Sequence, residues 1–278
     1  MDQQAYLPLV SIVTVSYNAV TTIEETILSV VNQTYKNIEY IIIDGGSTDG
    51  TVDVIKKYQD QISFWISEPD NGMYDALRKG FALVHGEICC YINSDDFYYK
   101  AAIETVVDFF VTHINVLWIK GLDVTYNEKS EIIQVKVPMV TQKKYIKKGM
   151  YCGKYFPYIQ QESVFWRTVL NASIDWDLFS KLRFAGDYYL WVTFSKITEL
   201  HIVLSYLGGF RVRKGQLSMN LKEYLNELKM ITSKPNYLDK LLAFYYKSIY
   251  VLFRDSFLYK KIYKSKIHYY HQNLGQFV

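Results

Sequence analysis

The stretch Tyr91-Ile92-Asn93-Ser94-Asp95-Asp96 closes a short apolar run, residues 88–92, with two adjacent carboxylates, and the aromatics Phe97, Tyr98 and Tyr99 follow. An apolar run of that length, rich in β-branched residues, reads as a strand buried on both faces. Two ionised carboxylates at its carboxyl end cannot sit unpaired in a core, because desolvating a charge is costly. They must meet water, a cation or a positive ligand. In open α/β sheets ligands bind in the crevice beyond the carboxyl ends of the strands. Asp95 and Asp96 therefore stand where a hard divalent ion could be held, and Mg²⁺ typically takes one or two carboxylates plus the phosphates of a substrate. A solvated Asp-Asp turn is the plain alternative.

Outward from that stretch the pattern alternates. Residues 10–15 form a first strand ending at Ser16-Tyr17-Asn18, and Thr21-Thr22-Ile23-Glu24 offers a capping box for a helix carrying Ile23, Ile27, Val30 and Val31 on one face. Residues 38–43 form a second strand running into Asp44-Gly45-Gly46-Ser47-Thr48-Asp49-Gly50-Thr51. Residues 52–58 are helical in pattern, residues 64–66 a third strand, residues 68–72 a loop by turn chemistry, and residues 73–85 a helix stopped by Gly86. Strands alternating with helices predict βαβ units and a doubly wound, mostly parallel sheet. The glycine-rich turn after the second strand is not a G-x-G-x-x-G fingerprint. Asp44 at that strand end could accept hydrogen bonds from a base or ribose, or cap its own turn through the amides of Gly46 and Ser47.

The 278 residues, 50% hydrophobic, suffice for one large core or a core with an appendage. A net charge of +3 conceals a basic last forty residues or so. Cys89 and Cys90 fall inside the apolar strand, and with Cys152 they show no spacing for a disulfide frame or zinc site, which suits a reduced, cytosolic setting. Residues 1–4 lack the features of a signal peptide, and no run reaches the roughly eighteen apolar residues that span a bilayer.

Three segments together carry a family resemblance: residues 10–18 (VSIVTVSYN), residues 43–51 (IDGGSTDGT) and Asn93-Ser94-Asp95-Asp96. They resemble the family 2 glycosyltransferases of the GT-A fold, and residues 68–76 (EPDNGMYDA) narrow the likeness to bacterial polysaccharide-building members. The resemblance is specific over the first hundred residues and looser to about residue 220. It implies a catalytic domain over residues 1–220, with residues 221–278 as a basic, aromatic helical extension.

The resemblance also implies roles. Val15 and Tyr17 would flank the nucleobase, with Asp44 reading its edge; Ser94 and Asp95 would lie against the ribose or donor sugar; Asp96 would ligate Mn²⁺ or Mg²⁺ on the donor diphosphate. Arg78 stands where many members have Asn, so either Arg78 or Lys79 could approach the phosphates, a sensible place for a cation because the leaving diphosphate gains charge. The plain reading of both is a solvated helix face. Residues 116–123 and 132–137 flank Asn127-Glu128-Lys129-Ser130 as a β-hairpin. Residues 160–167 (QQESVFWR) resemble the acceptor-side segment, and residues 185–191 (AGDYYLW) resemble the family's Glu-Asp motif with Gly186 replacing the Glu. In inverting members that Asp is the general base, here Asp187 opening a helix over residues 188–194; Glu162 competes for the role, and a plain N-cap is the alternative for Asp187. Arg213 replaces a His that relatives often carry in the segment from Phe210 to Ser218. Since Arg cannot ligate a cation, Arg211 and Arg213 would pair with phosphate.

From residue 237 onward aromatics alternate with Lys247, Arg254, Lys260, Lys261, Lys264 and Lys266. Such helices lie at membrane interfaces, or Leu241, Phe244, Ile249 and Phe253 pack on the catalytic domain. A nucleic-acid role finds no matching basic groove. The expectation is an inverting, metal-dependent glycosyltransferase of hexosyl or N-acetylhexosaminyl type. It would take a nucleotide sugar, a UDP-sugar, and act on a saccharide or lipid-diphosphate-linked acceptor in surface polysaccharide assembly. It would be cytoplasmic, with peripheral contact at the anionic inner face of the membrane. A nucleotidylyltransferase would need a basic, glycine-rich loop after the first strand, which Ser16-Tyr17-Asn18-Ala19-Val20 is not. A catalytically silent scaffold would be expected to have lost Asp96 or Asp187, and both are present.

Overall fold

A computed structural model of the chain describes residues 7–213, 216 and 219–278. Residues 1–4, considered above for a leader, and Lys214, Gly215, Leu217 and Ser218 lie outside the described residues.

The first half alternates as its pattern predicts: β1 (Val10–Ser16), α1 (Ile23–Val31), β2 (Ile38–Asp44), α2 (Thr51–Lys57), β3 (Phe64–Ser67), α3 (Met73–Phe81), β4 (Ile88–Asn93), then short β5 (Phe97–Tyr98) and α4 (Ala102–Thr112). Every residue of β1 is buried, as is β4 except at its last position, because helices cover both faces of a parallel sheet. β1 pairs in parallel with β2 and with β4, and β2 with β3. The chain thus winds outward in both directions from β1, leaving the switch point between β1 and β4. Register aligns Ser16 with Asp44, Asp44 with Ser67, and Val15 with Asn93, so the four strands end in one transverse row.

The second half adds β6 (Trp118–Lys120), β7 (Asp123–Tyr126), β8 (Ile132–Lys136), α5 (Lys143–Ile146), β9 (Val164–Arg167), α6 (Trp176–Lys181), α7 (Gly186–Ile197), β10 (His201–Val203) and β11 (Gly208–Arg211). β9 enters antiparallel between β4 and β6. A second sheet, in the order β5-β11-β7-β8, stands beside the carboxyl end of β4. The C-terminal region holds α8 (Leu221–Ile231), α9 (Tyr237–Phe253) and α10 (Phe257–Ile262), followed by β12 (Ile267–His268), β13 (Tyr270–His271) and β14 (Gln276–Phe277). The main sheet runs β12-β10-β6-β9-β4-β1-β2-β3. Residues 221–278 are therefore not helical alone: β12 joins the sheet beside β10, with His201 Nδ1 and His268 Nε2 3.0 Å apart across the seam.

Local expectations are corrected in several places. Thr22 caps α1 without a side-chain bond to the helix, since its hydroxyl turns to the Ala19 carbonyl and Glu24 accepts from the Tyr58 hydroxyl at 2.9 Å; no capping box forms. α3 ends at Phe81, before Gly86, because the amides of Leu83 and Val84 bond three residues back and tighten the chain into a turn. The expected hairpin arm over residues 116–123 splits. Gly121 and Leu122 bond Ser163 and Ser205, which carries the chain across from β6 in the main sheet to β7, the strand that pairs with β8. Of the four residues offered as the alternative packing on the catalytic domain, Leu241, Phe244 and Phe253 are exposed, while Ile249 packs against the core.

Candidate functional site

The turn after β4 is clamped by β11. Asp96 is wholly buried: its carbonyl accepts from Thr26 Oγ1 at 2.7 Å, and Oδ1 accepts the Arg211 backbone N–H at 2.8 Å. A carboxylate at an exposed strand end was the expectation; β11 and α1 close over it instead. Its Oδ2 has no partner. Burial, and then the charges of Glu162 and Asp95, hold the Asp96 carboxyl well above its ordinary range. Arg211 Nε donates to the Asp95 carbonyl at 2.8 Å, and its Nη2 reaches Glu25 Oε2 at 2.6 Å. Asp95 Oδ2 accepts from Arg213 Nε at 2.7 Å and Gln216 Nε2 at 3.1 Å. Asp95 and both arginines thus come together, and they engage one another. Ser94 is buried in the same turn.

Glu162 enters the same crevice from the turn before β9. Gly208 of β11 lies on the Glu162 carbonyl so closely that a side chain at 208 would collide with it, which fixes β11 against this turn. Glu162 is buried, its Oε2 has no partner, and burial with the nearby charges of Asp187 and Asp95 pushes its carboxyl up to about 7.

Asp187 occupies the second position of α7, not its cap, which is Ala185. Its Oδ1 accepts the Tyr188 N–H at 2.7 Å. Burial and the Glu227 carboxylate raise it to about 6. Two residues hold this helix end in place. The ring of Tyr74 lies against Gly186, and Glu227 of α8 accepts the amides of Arg183 (2.8 Å), Phe184 (2.8 Å) and Ala185 (2.9 Å). Burial, and then the nearby Asp187 charge among others, raises Tyr74, Tyr91 and Tyr224, three tyrosines that share its electrostatic environment.

At the other side of the crevice, Asp44 is buried and accepts from Gly46 N (3.1 Å), Ser47 N (2.8 Å), Ser47 Oγ (2.5 Å) and Ser67 Oγ (2.6 Å). The turn-capping reading is the one built. Oδ2 takes three of these bonds and Oδ1 only the Ser47 hydroxyl, so capping the turn and reading a base or ribose are compatible roles for Asp44. Val15 is a core residue with its side chain buried, whereas Tyr17 is 67% exposed at the mouth. Arg78 pairs with Asp75 at 3.1 Å and Lys79 with Glu68 at 2.7 Å, so both cations have partners on or beside α3. An open cleft of about 540 Å³ adjoins Arg213 and Gln216, walled by the β7–β8 hairpin and Phe210.

Among the described residues no three His, Cys, Asp or Glu side chains are arranged to hold a cation alone. Mg²⁺ sites that rely on substrate phosphates need only one or two carboxylates. Asp96 Oδ2, buried and unpartnered, fits that requirement, with Glu162 Oε2 as a second free oxygen in the same electrostatic cluster. The sequence reading passed over Glu25, Tyr74, Gln216 and Glu227. Tyr74 lies inside the quoted residues 68–76 but carries no ionic signal, and Glu227 lies on a helix with no motif.

The sequence profile of the family described as glycosyl transferase family 2 matches residues 11–172. An uncharacterized glycosyltransferase of Rickettsia typhi is 29% identical over 242 residues, covering 84% of this chain and 73% of its own. A Bacillus subtilis glycosyltransferase named for teichuronic acid biosynthesis is 36% identical over 107 residues, 37% of this chain and 42% of its own. Among solved structures, TarS of S. aureus, residues 1–349 with UDP-GlcNAc, superposes with a TM-score of 0.55 at 16% identity, over 89% of this chain and 74% of that one. A longer TarS chain is covered over 42% of its length. The mannosyltransferase PcManGT of Pyrobaculum calidifontis, in complex with GDP-Man and Mn²⁺, gives 0.55 at 16% identity, over 88% and 70%. The fold is GT-A, and the profile matches more than half of the chain: this protein belongs to glycosyl transferase family 2.

Proposed function

We propose that the chain is an inverting transferase that moves a sugar from a nucleotide-sugar donor, a UDP-sugar, to a saccharide acceptor. The acceptor is carried on a lipid diphosphate at the inner face of the membrane, in assembly of a bacterial surface polysaccharide. Residues 1–220 supply catalysis and residues 221–278 the extension. The observation that carries this reading is the pairing of a half-buried Asp187, raised to about 6, with the unpartnered carboxylates of Asp96 and Glu162 around one crevice. TarS bound to UDP-GlcNAc supports the choice of donor class.

Asp96 would hold Mn²⁺ or Mg²⁺ together with the donor's phosphates, and such an ion, when bound, neutralises charge on the departing diphosphate. Tyr17 at the mouth flanks the base, and Arg213, released from Asp95, reaches phosphate. At the acceptor side the hydroxyl oxygen attacks the anomeric carbon as the bond to the diphosphate breaks, and the hydroxyl proton passes to Asp187. Burial raises both carboxyls, Asp187 to about 6 and Glu162 to about 7, so Asp187 is the more readily ionised of the two and is the base. Nucleotide sugars screened for turnover with and without Mn²⁺ test the proposal; a metal-dependent UDP-sugar should stand out, and turnover of none would remove it.

A further inference from the structure

α9 is apolar on both faces. Its inner face packs Ala243 and Tyr250 on the body of the protein, and Tyr250 donates to the Val137 carbonyl at 2.7 Å. The outer face repeats Leu241, Phe244, Val251 and Leu252 at helical spacing, with Phe244 76% and Leu252 73% exposed. α10 continues the surface through Phe257, 78% exposed, and Ile262. A contiguous exposed apolar patch marks an interaction surface. No helix among the described residues is long and apolar enough to cross a membrane.

The charges around the patch choose the occupant. Lys240 and Lys247 line one flank of α9, and Lys260, Lys261 and Lys264 stud α10 and the turn after it. The acids of residues 237–278 are Asp239 and Asp255 alone. Asp239 is committed to Lys148, and Asp255 stands 3.4 Å from Arg254. Two copies meeting through this face would therefore oppose lysine to lysine with no carboxylate of the extension to spare. An apolar face with a basic rim and tyrosines beside it matches a surface that is negative at the headgroups and apolar beneath.

We infer that the outer face of α9 and α10 is a docking surface for an anionic phospholipid bilayer. It seats Leu241, Phe244, Leu252 and Phe257 at the acyl boundary, with the lysines at headgroup level. The inference deepens the lipid-linked acceptor reading and rests on it for why an enzyme should need the bilayer. Its test needs no sugar.

Flotation with phosphatidylcholine vesicles, alone or mixed with phosphatidylglycerol, is read at low and high salt. The protein should float with the anionic vesicles, and less so at high salt. Phe244→Ser/Leu252→Ser/Phe257→Ser should weaken that binding at least about tenfold. These side chains are exposed, so the melting temperature should hold, and donor turnover without vesicles should stay at the wild-type level. No flotation overturns the inference, as does equal flotation of the triple variant. A dimer dissolved by the triple variant without vesicle binding would assign the face to a second copy. Vesicle binding without any nucleotide-sugar turnover would instead sink the transferase reading and spare the dock.

Discussion

Gly186 lies against the ring of Tyr74 so closely that a Cβ at 186 would overlap the ring carbons Cδ1, Cε1 and Cγ. Tyr74 is buried and its hydroxyl donates to the Phe184 carbonyl at 3.4 Å, so the tyrosine fills the space beneath the start of α7. Any larger side chain at 186 would have no room here. Gly186→Ala should therefore shift the first turn of α7 and Asp187 with it, at an overpacking cost of about 1–3 kcal/mol. Transfer should fall while donor affinity holds. Gly186→Ala/Tyr74→Leu, which relieves the overlap, should recover part of the loss. Full activity in the single variant would show that Asp187 is not held this way.

Glu227 sets the same helix from the other side. Glu227→Ala strips the acceptor from three successive amides, of which the Arg183 amide is exposed and can turn to water, while the part-buried amides of Phe184 and Ala185 lose a partner at a cost of up to about 1–3 kcal/mol each. Thermal denaturation should show a clear loss of stability, and kcat for transfer should drop more than KM for the donor changes. An unaltered melting temperature would leave Glu227 as a surface contact.

Asp96 is buried, so replacing it with Ala would open a cavity beside the Arg211 amide. Asp96→Asn keeps the shape and the acceptor oxygen while removing the charge that a divalent ion needs. Calorimetric titration with UDP should show Mn²⁺ strengthening binding to the wild type and making no difference in the variant. Equal enhancement in both would take Asp96 out of the metal site.

Proton linkage gives a prediction with a definite sign. Asp187 is raised in the folded state to about 6, so the folded protein binds its proton more tightly than the unfolded chain. That contribution is present below the unfolded carboxylate range and is lost as pH rises through about 6. His201 and His268, buried and lowered to about 4 and 3, act in the opposite sense: their contribution is full above the ordinary histidine value and is lost as pH falls. The difference in melting temperature between wild type and Asp187→Asn isolates the aspartate. The wild type should lose stability relative to the variant between about pH 4 and pH 7. A difference that is flat or opposite in slope would contradict the raised carboxyl.

The parallel half was legible because β1, β2 and β4 are near-continuous apolar runs, each ending at polar turn residues, and that pattern fixes both strand and crevice. The order of Asp95 and Asp96 after β4 was legible for the same reason. What could not be read depends on contacts between distant segments. The burial of Asp96 comes from Arg211, and the pairing of Asp95 with Arg213 comes from β11 returning beside β4. β12 is two residues long and has no periodicity to show. The hairpin was misplaced by three residues or more because residues 116–126 form one apolar-rich run, and only the amides of Gly121 and Leu122 reveal where it changes sheet. The aromatic spacing of residues 237–262 gave the helices, but which apolar face meets water required the fold.

Transfer from a UDP-sugar by Asp187→Asn and Glu162→Gln, compared with the wild type at saturating donor, tests the central claim most directly. The account predicts that Asp187→Asn lowers the rate of transfer by about 10²–10⁴-fold, the usual worth of general base catalysis. UDP affinity should be unchanged, and the rise in rate through about pH 6 should be lost. Glu162→Gln should keep that rise. Near-normal transfer by Asp187→Asn, with the large loss falling on Glu162→Gln, would contradict the account and move the base to Glu162.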